Sequence, residues 1–83
     1  MEEIKASLER YVKHKIPTGS FLRAVLENNL SEAFGRADLN NRHRMFDIIS
    51  YIYNDLPSVC WGSPEKVDNW LNRKEEESND KEI

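Results

Sequence analysis

The chain is poor in the residues that usually carry chemistry or cross-links: of 83 residues, one is cysteine, two are histidine, three are glycine and three are proline. A lone cysteine cannot close an internal disulfide. The start, MEEIKASLER, lacks the basic and apolar regions of a secretion signal. Together these lead to the expectation of a reducing, cytoplasmic setting. No run approaches the roughly 20 apolar residues needed to span a bilayer, so no membrane partner is expected.

Specific chemical signatures are equally scarce. Cys60, His14 and His43 are the residues available for a nucleophile–base pair or a metal site. They show neither Cys-x₂-Cys nor His-x₃-His spacing. The stretch PTGS (17–20) precedes a helical segment but lacks the second glycine and the Gly-Lys-Ser/Thr end of a phosphate loop. Free cysteine beside a tryptophan is most simply a small buried side chain. The reading is therefore no enzyme, no catalytic residue, no metal and no cofactor.

Charge excludes less than it first suggests. Residues 1–62 hold eight basic and eight acidic side chains, whereas 63–83 hold four and seven. A neutral body with an acidic end is not the basic footprint of a nucleic-acid-binding domain. There is nonetheless a local cluster, Arg10, Lys13, Lys15 and Arg23, with no acid between them, and a second in NNRHR (40–44). If the starts of the second and fourth helices met, Arg23, Arg42 and Arg44, with Lys13 and Lys15, would form one basic face. A small nucleic-acid-binding regulator is thus the alternative reading.

What the chain does have is apolar periodicity and eight aromatics, three Phe, three Tyr and two Trp. Ile4, Leu8, Tyr11 and Val12 predict a helix over 2–14, with Glu2 and Glu3 in its first turn and lysines in its last. Pro17 and Gly19 break it. Phe21, Leu22, Val25 and Leu26 predict a second helix, ended by Asn28-Asn29. A short third one follows, with Ser31 as a candidate cap and a stripe of Leu30, Ala33, Phe34 and Ala37. Gly35 there implies a close approach or an early end. Residues 39–56 read as the longest helix, capped by Asp38 or Asn40. Met45, Ile48, Ile49, Ile52 and Leu56 form its buried arc, widened by Phe46 and Tyr51, and Pro57 closes it.

The segment CWGSPEKVDNWL (60–71) then reads as a joint. Gly62 permits the turn, Ser63 caps a last helix and Pro64 occupies its first position. Cys60, Trp61, Val67, Trp70 and Leu71 fill the corner. The expected architecture is all-α: a compact bundle of four main helices plus one short one over residues 1–74, with a disordered acidic tail over 75–83.

The strings IPTGSFLRAVLENNL, AFGRAD and YIYNDLPSVCWGSPEKVDNWL resemble a group of short helical proteins found in phages, prophages and other bacterial mobile elements. That resemblance covers roughly residues 8–72. It implies a phage-type accessory protein working in the host cytoplasm, and it brings no activity or site residues with it. Such a protein is expected to bind a macromolecular partner, most simply a protein, as an inhibitor or modulator of a host process. Tyr53 and Trp61 are the candidate partner-binding residues, because aromatics dominate interface energetics. Homodimerisation stays open, since a small bundle often leaves an apolar strip uncovered.

Overall fold

A computed structural model describes residues 1–72, and these are all-α. The order is α1 (Glu2–His14), α2 (Ser20–Leu26), α3 (Leu30–Arg36), α4 (Leu39–His43), α5 (Met45–Asp55), a 3₁₀ turn (Ser58–Cys60) and α6 (64–72). The expected tail, 75–83, and the last two residues of the expected domain lie outside the described residues.

Helix ends follow local chemistry. Lys15 closes α1 in the left-handed region at φ 54°, and the Ile16 N–H reaches back to the Arg10 carbonyl at 3.4 Å. Asn28, at φ 63°, does the same for α2, with the Asn29 N–H on the Ala24 carbonyl at 2.9 Å. Both satisfy carbonyls that a helix end leaves unpaired. Asn29, not Ser31, caps α3: its side chain accepts from the Glu32 N–H. Asp38 caps α4 by accepting from the Asn41 N–H at 2.8 Å, and Ser63 caps α6 by accepting from the Lys66 N–H at 3.1 Å.

The long helix expected over 39–56 is two helices. The break falls at Arg44, with φ −108° and ψ 20°. Its N–H still bonds the Asn40 carbonyl and its carbonyl accepts from the Ile48 N–H, so one ladder ends and the next starts on the same residue. Its guanidinium is drawn sideways to Asn41 and to Glu3 of α1.

One core gathers every element except α4, which buries no residue. Ile4, Leu8 and Tyr11 come from α1, Leu22, Ala24, Val25 and Leu26 from α2, Ala33 from α3, Met45, Ile48 and Ile52 from α5, Cys60 from the 3₁₀ turn and Val67 from α6. Among the described residues no charged side chain is buried. Three expectations about this core fail. Phe46 does not widen the buried arc of α5 but stands 80% exposed. Leu30 and Phe34 are 49% and 44% exposed, so Ala33 and Ala37 alone carry the buried stripe around α3. Small side chains let α3 lie close to the core, and that leaves its larger apolar ones at the rim. Of the two roles open to Gly35, no close approach is seen, because nothing lies within 4 Å of where its Cβ would be, while α3 does end early, one residue later at Arg36.

Candidate partner-binding surface

The last connection is built around Tyr11. Its hydroxyl donates to the Cys60 carbonyl at 2.7 Å, and its own carbonyl accepts from Trp70 Nε1 at 3.1 Å. Next door the Gly62 N–H donates to the Leu26 carbonyl at 2.7 Å. Gly62 takes φ 117°, a conformation side-chain-bearing residues rarely adopt. Lys15 Nζ sits 4.4 Å from the centre of the Trp70 ring. Residues from α1, α2, the 3₁₀ turn and α6 are thus held by a few directed bonds, and the segment 60–71 is a structural joint.

That geometry decides what Cys60 can do. The thiol is fully buried, and Sγ donates to the Pro57 carbonyl at 3.1 Å. Burial pushes its pKa up to about 11, so at neutral pH it is a thiol and not the thiolate that attacks or ligates. Burial likewise raises Tyr11 well above the ordinary phenol range. His14 and His43 are exposed, and no group of three metal-binding side chains occurs among the described residues.

The five basic residues of the alternative reading, Arg23, Arg42, Arg44, Lys13 and Lys15, are each engaged within the chain. Arg23 Nε bonds Glu27 at 2.7 Å while its other nitrogen bonds Asp68, tying α2 to α6. Its charge is further stabilised by these carboxylates, Glu27 first. Arg44 bonds Glu3 at 2.8 Å and so ties the start of α5 to α1. The Glu3 carboxyl is held below its ordinary range, first by a backbone N–H and then by Arg44. Lys13 pairs with Glu9 at 3.3 Å, Lys15 stacks on Trp70, and Arg42 donates to the Phe34 carbonyl at 3.3 Å. Arg23 and Arg44 each face their own carboxylates on different helices.

Two concavities on the surface are small. A cleft of about 240 Å³ between α2 and α3 is lined by the facing pairs Arg23–Glu27 and Glu32–Arg36. A second, of about 190 Å³, lies between α1 and α5 over Leu8, Val12, Tyr51 and Leu56. Both fall below the ~300–1,000 Å³ of typical small-molecule sites.

The outer face of α5 is different in character. Tyr53 is 71% exposed and stands edge-on to the half-buried Trp61 ring, centroids 6.0 Å apart at 69°. This brings the two sequence-predicted partner residues together. Phe46 sits seven residues before Tyr53, so at 3.6 residues per turn the two project within about 20° of each other. The half-buried Ile49 lies between them, and the exposed Val59 follows in the 3₁₀ turn. Phe46 is the residue that sequence reasoning misses. Its signal is present in the spacing: the buried Ile48 and Ile52 lie roughly 120–160° away around the same helix.

Comparison of this chain with protein-family models, with curated proteins and with solved structures finds no match.

Proposed function

We propose that this protein works by protein–protein association and not by catalysis, and that the outer face of α5 with Trp61 is its contact surface. One observation carries the reading: two large aromatics, Phe46 and Tyr53, stand 80% and 71% exposed on one side of the same helix, with Trp61 beside the second. A single exposed apolar residue is ordinary, but aligned aromatics gain most from being covered. Phe46, Ile49 and Tyr53 fall at i, i+3 and i+7, the spacing of anchors on a helix that seats in another protein's apolar groove.

The broader role is that of a small accessory protein, of the kind phages and other mobile elements carry, that modulates a host process by binding one of its proteins in the cytoplasm. The alternative, a nucleic-acid-binding regulator using Arg23, Arg42, Arg44, Lys13 and Lys15, has less behind it. Three of those cations are engaged by carboxylates, and phosphate binding would have to compete with them.

The test is affinity capture from bacterial extract with the wild type and with Phe46→Glu and Tyr53→Glu in parallel. A stoichiometric partner held by the wild type and lost by both variants supports the reading. A partner held equally by all three removes this face from consideration.

A further inference from the structure

We infer that the first occupant of the α5 face is a second copy of this chain, paired antiparallel about a two-fold axis near Ile49 and Ser50. The inference rests on the association reading above and names its partner. An interface between identical copies must be complementary to itself, because each residue meets its counterpart under the same rotation. The stripe Phe46, Ile49, Ser50, Tyr53 meets that condition: it reads aromatic, aliphatic, small, aromatic, with its midpoint between residues 49 and 50. Antiparallel pairing about that midpoint places Phe46 of each copy against Tyr53 and Trp61 of the other. The same axis brings the two Ile49 side chains together on one flank and the two small Ser50 side chains on the other. Bulk on one flank and small residues on the other let two helices approach closely around the axis.

Charge agrees with this register. None of the four stripe residues is charged. On the Ser50 flank, Asp47 falls beside Asn54 of the other copy, so a carboxylate meets an amide and not a second carboxylate. The two Asp47 residues are offset by five positions, about 7.5 Å along the helix axis.

The area sets the strength. An aromatic side chain buries about 150–250 Å² when covered. At 80% and 71% exposure, Phe46 and Tyr53 therefore offer roughly 250–350 Å² per copy. The edges of Ile49, Trp61 and the 46% exposed Val59 bring the two copies together to about 1,000 Å², the lower bound for a specific interface. Such a dimer is weak, with a Kd in the micromolar range or above, and exchanges readily for a better-fitting partner.

The experiment is sedimentation of the full chain from about 5 to about 500 µM, a range bracketing that Kd. The wild type is expected to shift from monomer to dimer. Phe46→Lys and Tyr53→Glu, each alone, are expected to stay monomeric with unchanged melting temperature, and an equimolar mixture of the two is expected to recover the dimer. Recovery follows because in the mixed pair the introduced lysine meets the introduced glutamate at one end, while Phe46 meets Tyr53 at the other. A wild type that stays monomeric throughout overturns the inference. Variants that dimerise as well as the wild type overturn it by moving the interface elsewhere. Loss in both variants without recovery on mixing overturns the antiparallel register. If the wild type is monomeric yet loses a captured bacterial partner on Phe46→Glu, the association reading stands and this inference alone falls.

Discussion

The hydroxyl of Tyr11 donates to the carbonyl of Cys60 across 49 positions of chain, at 2.7 Å and out of contact with water. That bond fastens the 3₁₀ turn to α1, and Trp70 fastens α6 to the same tyrosine from the other side. Tyr11→Phe keeps the ring and deletes the bond, leaving a buried carbonyl unpaired. The expected loss is about 1–3 kcal/mol, read as a lower urea midpoint. An unchanged midpoint would mean that the joint closes by packing alone.

Trp70 is half-buried, with its indole N–H on the Tyr11 carbonyl and Lys15 over its ring. Trp70→Ala is expected to destabilise by about 3 kcal/mol, the low end for a large core aromatic, because part of the ring already meets solvent. Thermal unfolding checks this, and no shift in Tm would return Trp70 to the exposed surface.

The glycines separate by backbone. Gly62 at φ 117° has room for a Cβ, with Lys66 side-chain atoms no nearer than 3.7 Å, so its cost on substitution is conformational. Gly62→Ala is expected to destabilise by about 1–3 kcal/mol. Gly35 lies in α3 with open space around it, so Gly35→Ala is expected to stabilise by about 0.5–1 kcal/mol. Denaturant melts of the pair should move in opposite directions, and a shared direction would contradict the backbone assignment at one of them.

Stability should also fall in alkali. Burial raises the Cys60 pKa from 9.0 to about 11, so above pH 9 the unfolded chain sheds a proton that the folded chain keeps. The folded pKa is the higher one, so the full contribution is present below pH 9 and is lost between pH 9 and 11. Its size is on the order of 1–3 kcal/mol. Tyr11, also raised by burial, adds a loss that begins at pH 10. Urea midpoints from neutral pH up to pH 11 should decline. Cys60→Ala should flatten the part of the slope that starts at pH 9, and an equally steep slope in that variant would show the thiol to be uninvolved.

The arginines are expected to behave as fasteners. Arg23→Ala should cost about 0.5–1 kcal/mol, as partly exposed ion pairs do, and the wild type should show no salt-dependent binding to duplex DNA at low ionic strength. Tight binding at low salt that weakens steeply as salt is added would instead favour the nucleic-acid reading.

Much of this fold is legible in the sequence. The bounds of α1, the breaks after His14 and Leu26, and the joint at 60–71 all follow from caps, glycine, proline and the 3–4 apolar period. The pairing of Tyr53 with Trp61 is only half legible: their types mark them, but their contact depends on how the 3₁₀ turn folds back. Phe46 escapes because periodicity finds which residues are apolar and not how wide an arc the neighbours can cover. Met45, Ile48, Ile52 and Leu56 already fill the side of α5 that faces the core, with Tyr51 and Ile49 at its edges, and no room remains for Phe46. The break at Arg44 is hidden because the guanidinium is held by Glu3, 41 positions away. The partners of the arginines are hidden for the same reason, since the sequence does not show that the fold brings Asp68 alongside Arg23 and Glu3 alongside Arg44.

The most direct measurement uses the two indole N–H resonances, Trp70 in the joint and Trp61 beside the α5 face. Followed in proton NMR of the full chain, first with rising concentration and then with the captured partner added, Trp61 is expected to shift or broaden with the amides of Phe46, Ile49, Tyr53 and Val59 while Trp70 stays in place. Perturbation centred on Arg23, Arg42 and Arg44 with Trp61 unmoved would contradict the assignment of the α5 face as the surface through which this protein acts.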